Sequence, residues 1–360
     1  MMMLRTLLAD LLGIGLPIIQ APIGSASCPQ LAAAVSNAGG LGMLALTWQD
    51  LKAARHAIRE TRTLTDRPFG VNLVLQWDQA ERLAACLEEG VPIVSFSWGD
   101  PKPYLARTGH AKVKVMHTVA SAAEARRVAD LGVDVIVAQG WEAGGHVQGQ
   151  VATMALVPRV VDAVMPIPVV AAGGIADGRG LAAALALGAD GAWIGTRFLA
   201  SEEAHTHPAY RRLILRAQET DTVYTGLFDG GWTNAPHRVI ENSTVANWKS
   251  AGSPPAGKRP AEGVVVARSK GGDPIHLYDD AIPLANMTGD VERLALYAGQ
   301  SVGLIREIKS ASAIVHELAE DASRVLLNLA SEAERHGNRL TAKPAQGSSD
   351  PERFRLSTES

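Results

Sequence analysis

Three glycine-rich stretches crowd between Ala138 and Thr196: Ala138-Gln139-Gly140-Trp141-Glu142-Ala143-Gly144-Gly145-His146, Ala171-Ala172-Gly173-Gly174-Ile175 and Trp193-Ile194-Gly195-Thr196. Each directly follows a short apolar run that reads as a buried parallel strand. Backbone without side chains at successive strand ends leaves N–H groups open, which is what a phosphorylated cofactor needs. His146 stands at the tip of the first stretch. Its imidazole can accept a proton near neutral pH and, once charged, stabilise an anion. Bare backbone beside one titratable ring points to a flavin or nucleotide enzyme.

The remaining candidates divide by chemistry. At Gly173-Gly174 and Gly195-Thr196 a Cβ would hold a phosphate away from the amides, and a following helix start would add positive partial charge. The same glycines also serve as the tight turns that strand-to-helix connections require. Asn72, in Phe69-Gly70-Val71-Asn72-Leu73, and Gln139 each offer a carboxamide donor and acceptor, suited to the polar edge of a heterocycle such as a flavin ring. Either could equally satisfy backbone groups at a barrel mouth. His117, near another strand end, is a second histidine candidate. His205, His207 and His237 have no comparable placement, and His205 with His207 lacks a third ligand, so no metal site is expected. Ser95 and Ser97 read as polar lining, because no Ser-His-Asp arrangement is detectable.

Positioning these residues requires a strand-and-helix scaffold. Short apolar runs recur at 17–20, 40–44, 69–74, 92–96, 113–117, 134–139, 168–172 and 191–195. Ala-rich stretches with helical spacing lie between them, at 31–38, 51–60, 80–89, 122–131, 156–164 and 181–187. Gly39, Gly90, Gly132 and Gly188 sit where helices would stop. The runs are apolar at consecutive positions, as in a parallel sheet covered by helices. Eight units at a spacing of about 20–25 residues match a closed (β/α)8 TIM barrel of the α/β class, with the active site at the C-terminal strand ends. An open doubly wound sheet would carry its glycine fingerprint after the first strand, and here the glycines crowd the last three.

One domain is expected over 1–335. Residues 205–285, rich in Gly, Pro, Asn, Trp and His, read as a lid or insertion that includes the last barrel helix. A helical pattern over 294–330 gives C-terminal helices at about 291–335, and the polar stretch 336–360 reads as a flexible tail. The first ten residues read as a helix covering the bottom of the domain, since Asp10 interrupts the apolar run and no cleavage site follows cleanly.

Bulk composition excludes several classes. The 360 residues are 47% hydrophobic and 20% charged, which is ample for a large core. A net charge of −3 argues against a basic nucleic-acid surface. No segment approaches the ~18 apolar residues that would span a membrane. Cys28 and Cys86 lie far apart without metal-ligand spacing and read as reduced thiols of a cytoplasmic protein.

With these residues in view, the chain resembles the nitronate monooxygenase family (formerly 2-nitropropane dioxygenases), FMN-dependent TIM-barrel flavoproteins. The matching stretches are Gln20-Ala21-Pro22-Ile23-Gly24, Asn37-Ala38-Gly39-Gly40-Leu41-Gly42, Phe69-Gly70-Val71-Asn72-Leu73, 95–101, 139–146, 171–177 and Gly195-Thr196-Arg197-Phe198, with a weaker echo at Tyr297-Ala298-Gly299-Gln300. They fall in family order over roughly residues 15–200. The resemblance implies FMN contacts at Asn72, Gln139, Gly144, Gly145, Gly173, Gly174, Trp193, Ile194, Gly195 and Thr196. It implies His146 as the catalytic base and oxidation of alkyl nitronates, or nitroalkanes, by O2 to a carbonyl compound and nitrite. Ile23 stands where many members carry Met, and Trp193 where some carry Gln. The rival readings are an NAD(P)H-dependent flavin reductase of quinones or enoyl thioesters on the same barrel, and a flavin-binding protein without turnover. No nucleic-acid or membrane partner is expected, and a homo-oligomer stays open.

Overall fold

The computed structural model describes residues 4–341, with side chains as far as 335. Each apolar run becomes a strand: β1 (Ile18–Gln20), β2 (Gly42–Ala45), β3 (Phe69–Val74), β4 (Ile93–Ser97), β5 (Lys114–Val119), β6 (Val135–Gln139), then a two-residue strand β7 (Gly145–His146) outside the barrel, β8 (Val169–Ala172) and β9 (Gly191–Ile194). The eight barrel strands pair in the order β1-β9-β8-β6-β5-β4-β3-β2, all in parallel. A parallel bridge between Ile19 and Leu41 joins the two ends, so the sheet closes into the expected TIM barrel.

Side chains alternate across this wall. Ile19, Met43, Ile93, Met116, Val137, Val170 and Trp193 fill the interior. Ile18, Leu44, Val71, Val94, Val115, Ile136, Ala171 and Ile194 pack outward under the helices. Helix α1 (Leu7–Leu12), capped by the Thr6 side chain, buries Leu8, Ala9 and Leu12 in the interior cluster and plugs the bottom as expected. Gly191 makes room, because a Cβ there would stand 2.6 Å from the Leu8 side chain.

Helices α2 (Pro29–Asn37), α3 (Leu51–Leu64), α4 (Ala80–Glu88), α5 (Lys102–His110), α6 (Ala122–Asp130), α7 (Thr153–Val164) and α8 (Gly178–Ala186) follow their strands. The helix-stop glycines Gly39, Gly90, Gly132 and Gly188 all take left-handed φ. Helix α5 escaped the sequence reading for a physical reason: Thr108 is its only buried residue and only Tyr104 and Leu105 pack partly against the core, so its apolar stripe is short.

Two expectations are corrected beyond β9. The segment 205–285 does not contain the last barrel helix. After the single turn α9 (Thr196–Leu199) it holds α10 (Pro208–Arg216), a hairpin of β10 (Thr222–Thr225) and β11 (His237–Ile240), and α11 (Ser243–Ser250). A small sheet of β12 (Val265–Arg268), β13 (Pro274–His276) and β14 (Thr288–Gly289) follows. Its own core includes Leu227, Phe228, Val239, Val266 and Tyr278. The eighth helix is instead α12 (Ala311–Thr341), seated against α8 and α2. The second correction is that 294–310 holds no α-helix, only a short 3-10 helix at Gln300–Leu304. Its apolar residues serve two different cores, Leu294 and Ala295 in one and Leu296, Ala298, Val302 and Ile305 in the other, which mimics helical spacing. Helix α12 runs to Thr341, and residues 342–360 of the expected tail lie outside the described residues. Among the described residues no helix is long and apolar enough to cross a membrane.

Candidate active site

The C-terminal strand ends open on a cavity of about 480 Å³. Asn72, Gln139, Gly144, Gly145, His146, Gly173, Gly174, Trp193, Gly195 and Thr196 all line it, as does Ile23. Two expected residues do not. Ile194 points outward into the helix layer, and its carbonyl accepts from the Ala21 N–H at 2.9 Å. His117 lies between Met116, which packs in the interior, and Thr118, which lines the cavity. Its ring is buried in the wall, and burial holds it down at about 4.

The glycine loops are laced together tightly enough that side chains would part them. A Cβ on Gly144 would stand 2.4 Å from the backbone nitrogen of Gly299. Gly173 takes φ +100°, and its Cβ would stand 3.0 Å from both Ala143 N and Gly140 O. The strap Tyr297-Ala298-Gly299-Gln300 crosses this face: the Gly299 N–H donates to Thr196 Oγ1 at 3.0 Å and Gln300 N–H to the Glu142 carbonyl at 2.9 Å. The backbone N–H groups of Gly174, Gly195 and Thr196 have no hydrogen-bond partner among the described residues. Expected support from a helix start is smaller than the sequence suggested. The Asp177 side chain already accepts from the first amides of α8, and α9 is one turn long. What remains is open backbone amides, the chemistry of an anion cradle.

The carboxamides are held in place. Asn72 Nδ2 donates to Ser95 O and Ser95 Oγ, each at 3.3 Å, and Gln139 Nε2 donates to the His146 carbonyl at 3.2 Å. Ser97 lines the cavity, so both serines serve as polar lining and support.

His146 is positioned by strand pairing. β7 adds to β11 in antiparallel register, with His146 opposite His237 and Gly145 opposite Arg238. The imidazole stacks on Trp232 at 4.1 Å and 29°, and its edge contacts include Tyr297 and His237, each at 5.4 Å. Arg238, almost fully buried, donates to the Trp141 carbonyl at 2.9 Å with its guanidinium 4.5 Å over the Trp141 ring, fixing the loop that carries Gly144.

Behind the imidazole stands a carboxylate. His146 Nε2 lies 3.5 Å from Asp280 Oδ2, an ion-pair separation without a hydrogen bond, and Nε2 has no hydrogen-bond partner. The Tyr297 hydroxyl donates to Asp280 Oδ1, and the Asp280 N–H donates to Gly230 O at 2.9 Å. Burial, aided by nearby His237, pushes His146 down to about 3. Burial likewise pushes Asp280 up to about 6, against the Tyr297 hydrogen bond. Attraction across 3.5 Å opposes both pushes, so the direction that stands is an imidazole kept neutral beside a carboxyl that ionises late. His237 is different. The N–H of Phe228 donates to its Nε2 at 3.3 Å, so Nδ1 carries the proton and donates to Ala235 O at 2.9 Å. Both ring nitrogens are engaged, which leaves His237 structural.

Asp280, Tyr297, Trp232 and His237 escaped the sequence reading as site residues. They lie in the aperiodic stretch after β9, and only Tyr297 carried a signal, through the Tyr297-Ala298-Gly299-Gln300 motif. No group able to hold a metal occurs among the described residues. Cys86 is a buried thiol pushed up to about 12 by desolvation, and both cysteines are free.

Known proteins share this architecture. A dehydrogenase of (3aS,4S,5R,7aS)-5-hydroxy-7a-methyl-1-oxo-octahydro-1H-indene-4-carboxyl-CoA from Rhodococcus jostii is 41% identical over 251 residues, covering 69% of each chain. The nitronate monooxygenase of Paraburkholderia phytofirmans is 34% identical over 359 residues, covering 85% of this chain and 92% of its own. Among solved structures, FabK from Thermotoga maritima superposes with a TM-score of 0.76 at 37% identity, covering 91% of this chain and 99% of that one. Nitroalkane oxidase from Streptomyces ansochromogenes does so with a TM-score of 0.72 at 31% identity, covering 89% and 99%. The nitronate monooxygenase family model matches residues 5–82 and 75–321, nearly the whole barrel and the segment that crosses its mouth. With an open-amide cradle and a buried neutral histidine at its C-terminal rim, this chain belongs to the nitronate monooxygenase family of flavin-dependent oxidoreductases.

Proposed function

We propose that the protein is an FMN-dependent nitronate monooxygenase, which oxidises alkyl nitronates, and nitroalkanes after deprotonation by His146, with O2 to a carbonyl compound and nitrite. The observation that carries this reading is the buried imidazole of His146 in the same cavity as the glycine cradle, with the Asp280 carboxylate 3.5 Å away. The residues present fit FMN. The unpartnered amides of Gly174, Gly195 and Thr196 would take its phosphate, and glycines at 144 and 173 let the loops beside them pack backbone against backbone. Asn72 and Gln139 would meet the polar edge of the ring. When bound, FMN supplies the redox chemistry.

The protein's share is proton transfer and shielding. A nitroalkane α-carbon is acidic because its charge spreads into the nitro group, so a neutral imidazole can remove the proton. The imidazolium that forms lies against the Asp280 carboxylate, which the Tyr297 hydroxyl orients while the Gly230 carbonyl anchors the Asp280 backbone. Trp232, stacked on the ring, and the 230–232 and 280–284 segments of the 205–285 region shield the site, and we assign that region the role of lid on a single domain. Reduced Cys28 and Cys86 suit a cytoplasmic enzyme.

The test compares two substrates. His146→Ala should keep FMN, seen in the visible spectrum, and lose about 10²- to 10⁴-fold on neutral nitroalkane. Turnover of preformed nitronate, which needs no deprotonation, should be largely spared. Equal loss on both would remove His146 as base.

One observation favours a second reading, the 41% identity with the carboxyl-CoA dehydrogenase. An NAD(P)H-linked enzyme of thioesters or quinones would use the same cradle. Anaerobic mixing separates the two: flavin bleaching by NADH or NADPH favours the second, and bleaching by nitronate alone favours the monooxygenase. Bound FMN with no turnover on any donor would leave a binding protein.

A further inference from the structure

One side of the cavity rim is a wall of indoles. Trp48, Trp77, Trp98 and Trp232 are four of the seven tryptophans in the chain. They come from the segments after β2, β3 and β4 and from the lid. Their rings pack at steep angles, with centroids 5.7 Å apart for Trp48 and Trp77, 5.1 Å for Trp77 and Trp232, 4.9 Å for Trp98 and Trp232, and 6.0 Å for Trp48 and Trp232. Trp232 passes the wall on to the imidazole by stacking on His146.

Two features separate this cluster from ordinary core packing. Trp98 sits at φ +59°, a left-handed conformation that a bulky residue keeps only where its surroundings over-determine it, and such strain gathers at ligand sites. Trp48 lines the cavity yet is 53% exposed, whereas Trp232 beside it is 5% exposed. A cluster built only to hold loops together would not leave one of its indoles more than half exposed at the cavity. Charge narrows the occupant further. Among the described lining residues the only carboxylate is Asp280, and no Lys or Arg lines the cavity, so no cationic side chain there pairs with a distal anionic group of a substrate.

Resting on the proposed oxidation of a carbon acid at His146, we propose that Trp48, Trp98 and Trp232 form a subsite for a flat, uncharged ring borne on the acidic carbon, so that the enzyme selects ring-bearing substrates over small nitroalkanes. Indole faces reward flat partners with offset or edge-on contact, which a short branched alkyl group cannot make. Trp48 is the determinant, because its ring has area left to cover.

The test uses FMN-loaded full-length protein and reads binding and turnover separately. Binding of phenylacetamide against acetamide is followed by perturbation of flavin absorbance and by tryptophan fluorescence. Wild type should bind phenylacetamide at least about tenfold more tightly, and Trp48→Ala should remove most of that ratio. In turnover, the nitronate of phenylnitromethane should exceed propane-2-nitronate in kcat/KM by a similar factor, with the ratio collapsing toward one in Trp48→Ala through KM. Trp48→Leu, which keeps apolar bulk without a flat face, should behave like Trp48→Ala. Ratios near one in wild type, or ratios untouched by both variants, overturn the subsite. If neither nitronate is turned over, the monooxygenase reading fails on its own, and the amide ratio still decides the subsite. Should Trp48→Ala lose its fold, as seen by circular dichroism, Trp48→Leu carries the comparison.

Discussion

His146 and Asp280 titrate in directions that an isolated histidine and aspartate would not. Burial holds the ring below its ordinary 6.5 and lifts the carboxyl from 3.8 to about 6. The charged or titratable groups facing the pair are His237, locked neutral by two hydrogen bonds, Tyr297 and Asp279. A base that stays neutral should keep working as pH falls through 6.5. Protonating Asp280 removes the charge that steadies the imidazolium. We therefore expect kcat/KM on nitroethane to decline as pH falls through about 6. Asp280→Asn should lower the plateau by about ten- to a hundredfold and abolish that decline, while ethylnitronate turnover changes little. A decline centred on 6.5 that survives in Asp280→Asn would mean the ring titrates as an ordinary histidine. Some of this was legible early. A histidine after paired glycines at a strand end marked itself, but Asp280 sits in an irregular loop where one carboxylate looks like any other.

Loops and straps carry the next level of design. Gly144 lies so close to Gly299 that a methyl group would push the strap off the barrel, since the Cβ would stand 2.4 Å from a backbone nitrogen that cannot rotate aside. Gly144→Ala should leave the barrel folded by circular dichroism and sharply reduce the flavin-to-protein ratio of the purified enzyme. A full flavin complement would show that the strap does not shape the cradle. At the opposite end, the plug helix α1 acts on stability alone. Leu8 is fully buried in the barrel interior, and Leu8→Ala should cost about 2–5 kcal/mol in denaturant unfolding without altering kcat. The strands were readable because eight buried runs in a row have few other solutions. Helix α5 was not, because a helix that packs only Tyr104 and Leu105 partly against the core leaves a short apolar stripe.

For the whole molecule, buried titratable groups couple function to folding. His146 and His117, both lowered from 6.5, contribute stability that is present above that value and lost as pH falls. Asp280, raised from 3.8 to about 6, works in the opposite sense: its contribution is present below 3.8 and lost as pH rises through about 6, so its buried charge is a cost at neutral pH. Asp280→Asn should thus melt a few degrees higher than wild type at pH 7–8, with the gain gone below about pH 4, in thermal unfolding at equal flavin saturation. A variant less stable than wild type at neutral pH would show that the carboxylate is well paired. The sequence by itself determined the barrel, the rim that bears the glycines and the histidine among them, because periodicity, glycine placement and chain order are local properties. Only the tertiary structure decided that α12 rather than the 205–285 segment closes the helix ring. Only it brought Asp280, Tyr297 and Trp232 to His146, and turned His117 and Ile194 away. Those are contacts between residues far apart in the chain, and no spacing along a polypeptide encodes which distant loops will meet over a barrel mouth.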